Sequence, residues 1–304
     1  MIFIGVDGGG TKTALAAYES GSLIAIAKSG PMNYNFIGAD AASENLISGI
    51  RALKIPAEQI AAIGIGDPSL DDGMPAVEDS PTARFAAAVK GEIGAPVYIR
   101  SDAYITLFGL TGSAEPAVLM LSGTGAMGIA EDADRNIKVV GGWGRLTGDE
   151  GSGYYIAIEA IKAALHASDG IEPETMLTEA VLRHFGVDSP RGLIDIFYGE
   201  EKADIASFAK TAADCAEKGD RRAKEILLNA ARYLASYTST LMDWNGSRKV
   251  GVYGSVICGN TIVRSEFESI LRSKYGDVSI SEPPVSAEMA AALYAELMYN
   301  DERN

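Results

Sequence analysis

Cysteine is almost absent. Cys215 and Cys258 are the two present in 304 residues, they form no Cys-x-x-Cys pair, and they leave no set of metal ligands. That argues against a disulfide scaffold, a zinc site or an iron–sulfur cluster. Histidine is as scarce: His166 ends an apolar helical run and His184 follows Arg183 near a helix end, so both read as structural. No stretch reaches the 18 or so apolar residues of a membrane span. The opening MIFIGVDGGG has no basic segment ahead of an apolar one, so no secretory signal is expected. Together these point to the cytoplasm. Positive charge is also short. Lys and Arg total 26 against 41 Asp and Glu, a net charge of −15, and no basic cluster offsets it. Such a chain repels nucleic-acid phosphates, so neither a nucleic acid nor a membrane is expected as a partner. A phosphate, if bound, must be held locally by backbone N–H groups and one or two cations.

What the chain does have is length and alternation. Its 304 residues are many for one core, and 47% hydrophobic content is that of an ordinary globular protein. Two domains are expected, over residues 1–112 and 113–285, with a last helix at about 286–304 packing back on the first. Strand signals at Ile2–Val6, Ala14–Tyr18, Leu23–Lys28, Ile60–Gly66 and Val97–Arg100 alternate with helical ones at Asp40–Leu53, Pro81–Lys90 and Asp102–Leu110. From Ala117 the plan restarts: an apolar run to Leu121, a Gly/Thr loop, a second run over Ala126–Ala130, and a turn at Asp132–Asn136. Tyr154–Trp244 reads as mostly helical, with loops near Asp169 and Ser189–Gly192; Lys249–Tyr253 reads as a strand, and Thr261–Tyr275 and Ser286–Met298 as helices. The restart, IFIGVDGGGTKTALAAY against AVLMLSGTGAMGIAED, has the form of an internal repeat.

Two glycine loops sit at matching places in that repeat. The first fails the GxxxxGK[ST] pattern because Thr11 separates Gly10 from Lys12, and the turn at Glu19–Ser22 leaves no room for a long helix. The second, Gly123-Thr124-Gly125-Ala126-Met127-Gly128, matches GxGxxG literally. A dinucleotide fold would start a helix there, but the chain runs into an Asp/Asn turn instead. Both are better read as hairpin turns facing one nucleotide. Gly8, Gly9, Gly10, Gly123 and Gly125 let backbone approach phosphate, Thr11 and Thr124 add hydroxyls, and Lys12 adds a charge. Asp7, at the strand end, can hold Mg²⁺ through water. The simpler reading is two ordinary tight hairpins.

GVDGGGTKT, RSDAYITLFG, LSGTGA and GGWGRLTGDEGSGYYIA occur in the order and at the spacing of the BadF/BadG/BcrA/BcrD-type ATPase group, which the chain resembles from Ile2 to about Ala295. That group belongs to the actin-like superfamily that also holds hexokinase and Hsp70. Within it the resemblance is to N-acetylglucosamine kinases and the archaeal broad-specificity hexokinase. The resemblance implies an α/β, duplicated actin-like (ribonuclease H-like) ATPase fold with two domains around a nucleotide and sugar cleft. It implies ATP- and Mg²⁺-dependent transfer of a phosphoryl group to the 6-hydroxyl of an amino sugar, N-acetylglucosamine first. Glucosamine, N-acetylmuramic acid or a range of hexoses are alternatives, and a nucleotide-binding regulator without sugar chemistry is a more distant one. A homodimer is expected by analogy. Some members activate dehydratases through a shared iron–sulfur cluster, and neither cysteine here offers that pattern.

The resemblance also assigns residues. Asp7 to Thr13 is similar to the family's first phosphate motif and Ser122 to Ala126 to the second, while Tyr253-Gly254-Ser255-Val256 resembles the adenosine loop. Asn33 falls on a sugar-contacting asparagine, and Gly148–Ser152 on a sugar segment in which Asp149 takes hydroxyls, with Gly142 and Trp143 just before it. Trp143 packs either on the sugar's apolar face or in the core. Asp102 occupies the general-base position; the alternative is that Ser101 or Asp102 merely caps a helix. Glu150 and Ser152 read as the flank of a helix starting near Tyr154. Two stretches depart from the family. Gly66-Asp67-Pro68-Ser69-Leu70-Asp71-Asp72 replaces a small-residue segment, so Asp67 either faces the sugar's 2-position or points to solvent from a turn. Ser286-Ala287-Glu288-Met289 replaces a glycine before an alanine pair, a change expected to touch helix packing alone.

Overall fold

The computed structural model describes residues 1–70, 80–113, 115–198 and 204–303. The chain divides into two compact units. One holds Met1–Ala117, Glu131–Lys138 and Pro283–Asn304; the other holds Val118–Ala130 and Val139–Glu282.

In the first unit the elements run β1 (Ile2–Asp7), β2 (Thr13–Glu19), β3 (Ser22–Ser29), α1 (Tyr34–Ile37), α2 (Ala39–Ala52), β4 (Ile60–Asp67), α3 (Pro81–Ile93), β5 (Val97–Ser101) and α4 (Asp102–Thr111). The five strands lie in the order β3-β2-β1-β4-β5. β1 pairs antiparallel with β2, closing the first glycine loop as a hairpin, and parallel with β4, which is parallel to β5. The carboxyl ends of β1, β4 and β5 therefore share one edge of the sheet, with Asp7 level with Gly66 and Asp67 level with Ser101. One face buries Ile4, Val6, Leu15, Ile63 and Ile65 against Leu46, Ile50, Phe85 and Val89 of α2 and α3.

The second sheet comes from β6 (Ala117–Ser122), β7 (Ala126–Glu131), β8 (Ile137–Gly141), β9 (Lys249–Tyr253) and β10 (Ser279–Ser281), in the order β10-β9-β6-β7-β8. Read from its other edge, this is the order of the first sheet, with the first strand of each set at the centre. β6 pairs parallel with β9 and β9 with β10. The duplication read from the two hairpins thus extends to whole sheets, as an actin-like fold requires. Between β8 and β9 come α5 (Gly153–Ser168), α6 (Leu177–Phe185), α7 (Gly192–Tyr198), α8 (Phe208–Glu217) and α9 (Arg221–Asn245), and after β9 come α10 (Ser255–Gly259) and α11 (Thr261–Tyr275). α5 and α9 bury Ile156, Ala160, Leu227, Leu234 and Leu241 with Val250 and Val252 of β9 in one core.

The last helix, α12 (Ala287–Asp301), belongs to the first unit. It lies on the sheet face opposite α2, and its backbone comes unusually close. A methyl group on Gly5 would fall 1.7 Å from the Glu288 carbonyl oxygen, and one on Gly64 1.9 Å from that of Ala291. Glycine on the strands and alanine on the helix (Ala292, Ala295) make that approach fit.

Candidate active site

Asp7 ends β1, half-buried, and burial pushes its carboxyl up from 3.8 to about 6. The charges of Glu288 and Asp102 push the same way, and Lys12 opposes them. The Glu288 departure therefore reaches beyond helix packing, because its charge is felt at the strand end. The loop after Asp7 is fastened at its base. The Gly8 N–H donates to the Gly66 carbonyl at 2.9 Å, and the Met32 N–H to the Gly9 carbonyl at 3.0 Å. Gly10, Thr11 and Lys12 form its exposed crown. Thr13 is not part of that crown: it is 1% exposed and its hydroxyl donates to the Gly30 carbonyl at 2.8 Å, tying the start of β2 to the end of β3.

Asp102 opens α4 with its side chain exposed. The helix cap is Ser101, whose Oγ accepts the Tyr104 N–H at 2.9 Å. That separates the two roles left open by the sequence. The Asp102 carboxylate is turned to its own backbone, with Oδ1 accepting the Ala103 N–H at 2.7 Å. Gly66 packs against the Asp102 backbone, 3.4 Å from where its Cβ would be. Asn33 caps α1, its Oδ1 accepting the Asn35 N–H at 3.1 Å. Asp67 does not point to solvent. It has no exposed surface, and its Oδ1 accepts the Ser69 N–H at 2.8 Å. Burial raises its pKa, opposed by hydrogen bonds from Ser69 and from the Tyr34 hydroxyl. Asp71 and Asp72 lie outside the described residues.

In the second unit the Gly123-Thr124-Gly125 turn is anchored by the start of α5. The Gly153 N–H donates to the Gly123 carbonyl at 2.7 Å and the Tyr154 N–H to that of Thr124 at 3.2 Å. Ser152 is the helix cap, holding the Tyr155 N–H at 3.1 Å. Gly254, at φ +110°, passes so close that a Cβ would lie 2.5 Å from the Ser122 carbonyl, which explains glycine between β9 and Ser255. The Asp149 carboxylate lies along the turn. Its Oδ1 accepts the Ala126 N–H at 3.4 Å, and a Cβ on Gly125 would meet Oδ2 at 3.2 Å. Asp149 also takes φ +60°, unusual outside glycine. Burial raises its pKa, the Ala126 N–H lowers it and the Glu150 charge raises it. Glu150, two residues ahead of the Ser152 cap, accepts the Tyr237 hydroxyl. Trp143 is 78% exposed, so the core reading of it is set aside, and Gly142 beside it takes φ +73°.

A cavity of about 660 Å³ opens beside this turn, walled by Gly123, Thr124 and Gly153, by Ser255, Val256 and Asn260, and by Ala209, Lys210 and Ala213 of α8. A second space of about 260 Å³ shares Thr124 with it and reaches Gly125, Arg145, Asp149 and Tyr154. The α8 and Asn260 side of the wall was missed in the sequence. The spacing of Ala206, Ala209 and Ala213, an alanine face three and four residues apart, was the available signal. A larger hollow of about 1160 Å³ near Glu172 and Arg222 is lined by groups already bonded to one another, such as Arg222 to Glu172 at 3.1 Å and Thr175 to Asp220 at 2.7 Å.

Among the described residues no group of three or more His, Cys, Asp and Glu could cage a metal ion. Magnesium fits such a site better than most ions, since it keeps several waters and takes one or two carboxylates plus phosphate oxygens. Asp7, crowded by two like charges, is the carboxylate whose charge such an ion would relieve.

The model of the BadF/BadG/BcrA/BcrD ATPase family matches residues 4–295. The chain is similar to an N-acetylmuramic acid/N-acetylglucosamine kinase of Clostridium acetobutylicum, at 30% identity over 96% of this chain and 97% of that one. It is similar to an N-acetyl-D-glucosamine kinase of Dictyostelium discoideum at 29%, over 97% of each. Among solved structures, a protein of Chromobacterium violaceum shares the fold with a TM-score of 0.73 at 24% identity, over 96% of this chain and 98% of that one.

Proposed function

Because the chain belongs to the BadF/BadG/BcrA/BcrD ATPase family, we propose that it is an ATP-dependent sugar kinase acting on the 6-hydroxyl of an amino sugar, with N-acetylglucosamine as the preferred substrate. The observation that carries this reading is the nucleotide-sized cavity whose wall is the Gly123-Thr124 turn. Its alanine face and Val256 suit the flat faces of a purine, and the turn suits the phosphates.

The reaction needs alignment, charge neutralisation and a proton acceptor. The first loop, Gly8 to Lys12, binds phosphate oxygens through backbone N–H groups and the Lys12 ammonium. The Gly123–Gly125 turn does the same in the second unit, and Gly254 and Ser255 border the nucleoside. Asp7 would hold, through water, a magnesium ion bound with the nucleotide, which would supply charge neutralisation. Asp102 accepts the proton of the sugar 6-hydroxyl as that oxygen bonds to the γ-phosphorus and the bond to the ADP oxygen breaks. Asn33 and Asp149 orient sugar hydroxyls, and the exposed Trp143 after Gly142 offers an aromatic face to the sugar's C–H groups.

The test is the product. Incubated with ATP, magnesium and N-acetylglucosamine, the protein should yield a phosphomonoester whose phosphorus couples to the two C6 protons in NMR. Phosphate on any other position contradicts the reading.

A further inference from the structure

Asp67 is the one sugar-side candidate with no surface at all, and its surroundings give it a different task. Its Oδ1 accepts the Ser69 N–H at 2.8 Å and its carbonyl accepts the Leu70 N–H at 3.3 Å, so the carboxyl pins a tight turn over residues 67–70. That turn holds the segment carrying Asn33. The Ser69 Oγ accepts the Tyr34 N–H at 3.2 Å, and the Ser69 carbonyl accepts from Asn35 Nδ2 at 3.4 Å. Tyr34, itself buried, is tied at its far end to the Thr82 hydroxyl. Pro68 presses on the base of the first loop, with its Cδ 3.0 Å from where a Gly8 Cβ would lie. A fully buried carboxyl cannot reach a ligand without the turn opening.

We propose that Asp67 is a positioning residue for the sugar: through Ser69 and Tyr34 it fixes the Asn33 turn, and it does not itself touch the substrate. This rests on the sugar-kinase reading for its functional consequence. It departs from the expectation that Asp67 chooses between amino sugars, because a group that meets no substrate cannot tell an ammonium from an acetamide. The amide is the conservative replacement: Asp67→Asn keeps Oδ1 as the acceptor of the Ser69 N–H and removes the charge.

The experiment compares wild type with Asp67→Ala, Asp67→Asn and Ser69→Ala by steady-state kinetics and by amide hydrogen exchange of the unliganded protein. Asp67→Ala and Ser69→Ala should each raise KM for N-acetylglucosamine about tenfold, the worth of one lost hydrogen bond, with kcat and the KM for ATP within about twofold. Both should speed exchange of the Tyr34 amide, and Asp67→Asn should restore both properties. The ratio of kcat/KM for glucosamine over N-acetylglucosamine should stay at the wild-type value in all three. A ratio that moves in Asp67→Ala means that Asp67 faces the sugar, which overturns the proposal, as does an unchanged sugar KM. If Asp67→Ala does not fold, Ser69→Ala and Asp67→Asn decide by the same criteria. If the wild type phosphorylates no sugar, the kinase reading falls on its own, and Tyr34 exchange still decides the clamp: unaltered exchange overturns it.

Discussion

Asp102 and Ser101 stand side by side with different work. Ser101 caps α4 through its Oγ, so the cap does not need the Asp102 carboxylate. Asp102→Asn should therefore leave Tm and ATP affinity close to wild type while kcat falls about 10²–10⁴-fold, the usual cost of losing a general base. A variant with near-normal kcat at saturating sugar would make Asp102 a helix-start residue only. Asp7 supports a second prediction at this scale. Its carboxyl titrates at about 6 in the fold against 3.8 as its ordinary value. The native state thus binds the proton more tightly than the unfolded chain does. Stability tied to this group is complete below about pH 4 and is lost as pH rises through 6. Asp7→Asn should stabilise the free protein by about 1–2 kcal/mol at pH 8, allowing for its partial exposure, and by less at pH 5. Thermal melts at the two pH values check this; equal gains would mean that Asp7 is not held in a charge-averse place.

At the scale of elements, the first glycine loop can be tested without disturbing the fold. Gly9 is a poor place to do it, since a Cβ there would lie 2.4 Å from the Lys12 carbonyl oxygen. Gly10 is better: an added Cβ meets nothing within 4 Å. Gly10→Ala should keep stability within about 0.5 kcal/mol and weaken a non-hydrolysable ATP analogue at least about tenfold in calorimetric titration. Unchanged affinity would remove this loop from the phosphate site. Elements were also where the sequence spoke most clearly. The glycine loops read as hairpins because Glu19–Ser22 and Asp132–Asn136 left no length for a helix, and β9 and α11 fell where their apolar patterns placed them. Short pieces did not show. β8 (Ile137–Gly141) follows a turn with only five residues, and β10 has three, too few for a period to register.

For the whole molecule, the sequence carried the duplication only as two similar hairpins, and the sheets carry it as one strand order used twice. The candidate site was legible as position where its residues sit in a local motif: Asp7 at the end of β1, Gly123 in the turn after β6 and Asp102 at the start of α4. It was not legible where folding decides the environment. The burial of Asp67 follows from β4 lying between β1 and β5, and the α8 wall of the 660 Å³ cavity is brought to Thr124 by helices some eighty residues further along the chain. A single set of initial rates tests the central claim most directly. ADP release from ATP and magnesium is measured without sugar and with N-acetylglucosamine, N-acetylmuramic acid, glucosamine or glucose. The account predicts stimulation at least about tenfold over the sugar-free rate, with the highest kcat/KM for N-acetylglucosamine. No stimulation by any of the sugars, from a protein that still binds ATP, would contradict it and leave a nucleotide-binding protein without sugar chemistry.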